Sequence, residues 1–120
     1  MAPDLQQDTE REIERLRSRY ATLLRERPRC SELVARWILE AQGLRWFVSF
    51  DQQVLEPDID VEIASEVLVV RARPVSDDEL TLLGVLPVPA GFDIEDPLIL
   101  YSEGSLEIRI HRQGDRGGAP

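Results

Sequence analysis

The stretch GVLPVPAGFDIEDPLILYSEGSLEIRIHR, Gly84 to Arg112, sets prolines and glycines among strong strand formers. Leu106, Ile108 and Ile110 alternate with Glu107, Arg109 and His111, a period of two that gives a strand one apolar and one polar face. Leu98 to Tyr101 is apolar on both faces. Pro89 and Pro97 bracket a connection, because proline has no N–H for a sheet ladder and belongs at strand starts, edges or loops. Gly104 supplies the positive φ of a tight hairpin between the last two strands. The stretch holds no nucleophile–base pair and no ligand cluster, so its use has to lie in its surfaces.

The same period extends upstream. Trp46, Val48 and Phe50 alternate with Phe47 and Ser49, which predicts a mostly buried strand. Ile59, Val61 and Ile63 alternate with Asp60 and Glu62, a strand with one wet face. Leu68, Val70 and Ala72 follow after a short turn, with Arg71 and Arg73 pointing the other way. Leu80, Leu82, Leu86 and Val88 share one face of a fourth strand. Six short strands joined by brief turns predict a β-sandwich.

Ahead of Leu44 the period is 3.6. Ile13, Leu16, Tyr20, Leu23 and Leu24 form one stripe of a helix over 9–26 that Thr9 and Glu12 start as a capping box and Pro28 stops. Glu12–Arg15 and Glu14–Arg17 can pair across one turn. A second helix is expected over 32–42, with Ser31 as its cap, Leu33, Val34, Trp37, Ile38 and Ala41 on one face, and Gly43 at its end. Two uses of these stripes stay open: packing on the chain's own sheet, or an arm for self-association or client binding. For the second, Ile13, Leu16, Tyr20, Leu23 and Trp37 are the candidate residues. The domain plan is therefore a helical arm over 1–43, a sandwich over 44–112 and a loose tail over 113–120, where QGDRGGAP lacks any large apolar residue.

Composition bounds the rest. A chain of 120 residues with 42% apolar content fits one domain. Its net charge is −9, and residues 44–120 carry all of it, with fifteen acids against six arginines. Such a field repels phosphate backbones, which argues against nucleic-acid binding. No apolar run approaches the length of a membrane span, and the acidic start MAPDLQQDTE is unlike a targeting signal. With one cysteine, Cys30, no intramolecular disulfide is possible, and a cytoplasmic location is the expectation.

The segment VPAGFDIEDPLILYSEGSLEIRI resembles the end of the α-crystallin domain of small heat-shock proteins. That family shows aliphatic-Pro-x-x-Val-Asp, an apolar strand, then Gly-Val-Leu-x-Val-x-Val. Here Val88-Pro89 matches the first pair, Phe92-Asp93 stands for Val-Asp, and Gly104 and Leu106 fall at the family's glycine and leucine. DIDVEIASEVLVVRAR, Asp58–Arg73, is similar to the family's central hairpin. The resemblance covers about residues 45–111 and implies a mainly β, antiparallel, immunoglobulin-like sandwich of α-crystallin type, preceded by the two helices. It also implies that the strands of Ile59, Val61 and Ile63 and of Leu98 and Leu100 border a groove for an aliphatic pair from another protein.

The departures matter too. Ile99 sits where the family has a small alanine, Glu103 where it prefers Asn or Asp, and Ser105 where it has valine. Pro97 replaces an aliphatic. The run from Arg73 to Val88 is too short for the family's swapped loop strand, and no Ile-x-Ile tail follows Arg112. The expectation is a monomer or small homodimer.

Candidate chemistry is thin. His111 is the single histidine, Cys30 lies between the expected helices, and the acidic run Ser76-Asp77-Asp78-Glu79 lacks calcium-loop spacing. No glycine-rich phosphate cradle precedes a helix. The sequence therefore predicts no enzyme, no metal and no cofactor. The resemblance implies an ATP-independent holdase for partly unfolded proteins; the alternative is a module that holds one dedicated partner.

Overall fold

The computed structural model describes residues 5–22, 30–77 and 79–114. Among the described residues one α-helix, α1 (Leu5–Arg19), precedes eight strands: β1 (Cys30–Glu32), β2 (Val34–Leu39), β3 (Gly43–Ser49), β4 (Ile59–Ala64), β5 (Val67–Ala72), β6 (Thr81–Pro87), β7 (Leu98–Ser102) and β8 (Ser105–His111). They form two four-stranded sheets, ordered β1-β6-β5-β4 and β2-β3-β8-β7. The sheets close over Trp46, Val48, Leu68, Val70, Leu82, Leu86, Leu106, Ile108 and Ile110, all buried. These are the alternating positions of four strands, so period two built the core. The indole N–H of Trp46 in one sheet donates to the Pro87 carbonyl in the other at 3.1 Å.

The expected second helix over 32–42 does not form. Leu33, Ala35, Trp37 and Leu39 turn inward while Val34, Arg36 and Ile38 stay exposed, and the segment pairs with β3 from Val34↔Ser49 to Leu39↔Leu44. Both periods fit these residues. Val34, Trp37 and Ile38 favour strand, and six paired positions outweigh any local helix cap. Gly43 therefore ends no helix. It opens β3, where a side chain would strike the Ile110 carbonyl. The strict antiparallel expectation fails at one edge, since β1 pairs with β6 in parallel.

Helix α1 begins earlier than Thr9, which lies buried inside it, so the capping-box reading is replaced by a longer helix. The Glu12–Arg15 and Glu14–Arg17 pairs do form. Leu23, Leu24 and the rest of the expected helix through 26 lie outside the described residues, as does most of the tail. Gly104 adopts φ +85° in the β7–β8 turn, as the hairpin requires.

Candidate functional site

At Leu33 the chain passes from edge strand β1 of one sheet to edge strand β2 of the other. Those two edges therefore lie together, and β4 and β7 form the opposite pair of edges. The segment from Phe50 to Asp58 crosses between the sheets on that side. It is pinned by the Tyr101 hydroxyl, which donates to the Val54 carbonyl at 2.9 Å, and by the Phe50 N–H, which donates to Gly104.

Register decides what each edge shows, because directly paired residues share a face. On β4, Ile59, Val61 and Ile63 pair with Ala72, Val70 and Leu68, all core-facing, so all three turn toward the space between the sheets. Ile59 and Val61 are half-buried against the core, whereas Ile63 is 44% exposed. On β7, Ile99 and Tyr101 pair with the buried Ile108 and Leu106 and turn inward. Leu98 and Leu100 pair with Arg109 and Glu107 and point outward. The structure thus brings Ile59, Val61 and Ile63 to one edge together with Ile99 and Tyr101. The leucines named from sequence stand on the outer face. Ile99, 42% exposed, is the residue that sequence reasoning missed. Its signal was present, since it stands where the resembled pattern has alanine. A concavity of about 660 Å³, lined in part by Val54, Leu55, Tyr101 and Gly104, continues this side of the molecule.

The described arm candidates, Ile13, Leu16, Tyr20 and Trp37, lie elsewhere, and Leu23 falls outside the described residues. Ile13 and Leu16 are fully buried, and Ile13 belongs to the main core. Tyr20 packs on Val67, Val69 and Leu83. Its hydroxyl and the Arg19 guanidinium both donate to Glu66, at 3.4 and 3.2 Å. Trp37 sits on β2, half-buried against the core. These side chains serve the chain's own packing.

Electrostatic contrast separates the faces. Beside Ile59–Ile63, Arg71 donates to Glu62 at 2.6 Å on the wet face of β4. On the outer face of the second sheet, Arg45 pairs with Glu40 and Glu107, and Arg109 with Glu107. The Arg109 hydrogen bond holds the Glu107 carboxyl below its ordinary range, and Arg45 reinforces the effect. Hydrogen bonding to Glu40 raises Arg45 further.

Among the described residues no group of His, Cys, Asp and Glu could hold a metal ion. Cys30 is half-buried beside the Val67–Leu83 cluster, and His111 ends β8. Asp77 accepts from the Glu79 N–H in a local turn, while Asp78 lies outside the described residues. No described helix is long and apolar enough to cross a membrane.

Solved structures decide the fold. Heat shock protein 16.0 from Schizosaccharomyces pombe superposes with a TM-score of 0.66 at 13% identity, over 89% of this chain and 88% of that one. HspA from Xanthomonas axonopodis gives 0.59 at 15% identity, over 68% of this chain and 94% of that one. A mutant of hsp14.1 from Sulfolobus gives 0.57 at 18% identity, over 94% and 95%. The fold is that of the small heat-shock proteins. No protein-family model matches the sequence, and no curated protein does. Among the described residues β4 and β7 are each the edge strand of one sheet. The connection from β5 to β6 is short, running from Arg73 to Leu80.

Proposed function

We propose that the chain is a small heat-shock-protein-like, ATP-independent holdase that receives an aliphatic segment of a partly unfolded protein between β4 and β7. The observation that carries this reading is the pair Ile63 and Ile99. Both face the space between the sheets, on adjacent edges, yet both remain more than 40% exposed. Large aliphatic side chains left open in this way lose the stabilisation of burial, which a client's own aliphatic side chain would restore. β7 strengthens the case: Leu98–Tyr101 is an apolar edge strand with no charge along it, the kind of edge that pairs with another chain.

A second reading, one dedicated partner in place of many clients, draws support from the burial of Ile13 and Leu16. With those residues packed on the chain's own sheets, the apolar surface for varied clients is small. The species is read as a monomer or small dimer, because eight residues between β5 and β6 leave little length for a swapped strand. Suppression of thermal aggregation of a model client, measured beside solution mass by light scattering, tests both readings. The holdase reading expects suppression by the wild-type chain and its loss in Ile63→Asp/Ile99→Asp. Suppression that survives the double substitution, or no suppression at all, overturns it. In the latter case the dedicated-partner reading stands.

A further inference from the structure

We propose, building on the groove reading, that the segment received between β4 and β7 carries a lysine or arginine beside its aliphatic pair, and that a subsite at the Gly104 end of the groove holds that side chain. Ile99 and Tyr101 turn inward on β7 two positions apart, about 6.7 Å along the strand. Beyond Ile99 the groove therefore runs into the concavity of about 660 Å³ at Tyr101. Phe50, Val54, Leu55 and Tyr101 give that concavity its apolar wall, and Asp51 and Glu103 are its charged residues. The Phe50 N–H donates to the Gly104 carbonyl at 3.0 Å, which keeps the adjacent Asp51 and Glu103, both exposed, on one rim.

Neither carboxylate is neutralised from within the chain. No described arginine or histidine lines the concavity, and no described cation pairs with Asp51 or Glu103. The arginines nearby in the fold are engaged elsewhere. Arg71 is bound to Glu62 at 2.6 Å, and Arg73 lines a different cavity together with Asp58 and Asp60. On the outer face of the second sheet, Arg45 and Arg109 are held by Glu40 and Glu107. Two like charges on one rim repel each other. A cation placed beside them relieves that repulsion and is attracted by both.

Shape narrows the cation to a long side chain. A small free cation would use the carboxylates and leave the apolar wall uncovered. Lysine and arginine lay a methylene stem along apolar surface while the charged head stays in water. Leu55, 48% exposed, offers such a stem an open apolar surface beneath an acidic rim. Lysine brings three donors and arginine five, so either head can serve two carboxylates at once. Because the subsite continues the groove, an extended segment fills both together, with its aliphatic pair against Ile63 and Ile99 and its basic residue at Asp51 and Glu103.

The test compares three extended peptides that share two aliphatic residues spaced by one position: a neutral one, one with a lysine on each side of the pair, and one with glutamates there. Binding to the full chain is read by fluorescence anisotropy. The lysine peptide is expected to bind at least about threefold more tightly than the neutral one and the glutamate peptide more weakly, with the differences shrinking as salt is added. Asp51→Asn/Glu103→Gln is expected to abolish the lysine advantage and to leave the neutral peptide's affinity unchanged. Glu10→Gln/Glu32→Gln removes the same charge from α1 and from β1 on the opposite edge, and is expected to keep most of the advantage. Equal affinity for the lysine and neutral peptides, or an advantage that both double variants lower equally, overturns the proposal and leaves the groove standing. A chain whose light-scattering mass is that of a dimer, and falls to a monomer as peptide is added, gives the groove to a second copy and overturns it too. If no peptide binds, the groove reading itself fails, and the subsite with it.

Discussion

Ile13→Ala measures how firmly α1 belongs to the domain. Ile13 is fully buried in the main core, and its truncation removes three carbon groups. At about 0.8 kcal/mol for each, the transfer loss is about 2.4 kcal/mol. A residual cavity moves the total into the usual range of about 2–5 kcal/mol for such a change. Alanine returns about 0.4 kcal/mol through its better helix propensity. The net destabilisation is then about 2–4 kcal/mol, and a domain of this size loses at least about 8 °C in its thermal transition. Urea unfolding followed by Trp fluorescence reads the shift as a lower midpoint at constant slope. A change under about 0.5 kcal/mol, typical of surface substitutions, would refute the docked helix and return α1 to the role of a free arm.

Trp46→Phe is expected to cost about 1–3 kcal/mol, because the buried Pro87 carbonyl loses its donor; a neutral result by the same denaturation would remove that inter-sheet link from the account. Ser65 holds φ +61° in the two-residue β4–β5 turn, so Ser65→Gly is expected to be neutral or to stabilise by up to about 1 kcal/mol, and a clear loss of stability would contradict this backbone argument. Glu107 has its folded-state pKa lowered from an ordinary 4.5, so its contribution is complete above that value and is lost as pH falls through the lowered one. NMR titration of Glu107 should give a midpoint below 4.5 that returns toward it in Arg109→Gln; an ordinary midpoint in the wild-type chain would contradict the ion cluster.

Much of the sandwich was legible because period two runs through its core strands. Leu106, Ile108 and Ile110 alternate with polar residues and admit one reading, and they and Leu68, Val70 and Ala72 are all buried, although Val67 and Val69 make β5 buried on both faces. The segment Leu33–Leu39 was not legible, since its apolar positions satisfy both the helical and the strand period and only pairing with β3 decides. Three-residue β1 is too short to leave a pattern, and its parallel partner lies about fifty residues away in sequence. The groove side of β4 could be read from Ile59, Val61 and Ile63. The groove side of β7 could not, because Leu98–Tyr101 is apolar both ways; its register against Ile108 and Leu106 turns Ile99 inward and Leu100 outward. Burial of Ile13 and Leu16 answers a question that hydrophobic spacing alone leaves open, since an amphipathic stripe does not name what covers it.

Backbone amide shift mapping by NMR probes the groove between β4 and β7 residue by residue. The probe is a neutral, extended peptide with two aliphatic residues spaced by one position, titrated into the full chain. The perturbed amides are expected to cluster on Ile59–Ala64, Leu98–Ser102 and the neighbouring Val54 and Leu55, and Ile99→Asp is expected to abolish the perturbations while the rest of the spectrum stays folded. Perturbations that fall instead on α1, or that persist unchanged in Ile99→Asp, would contradict the groove.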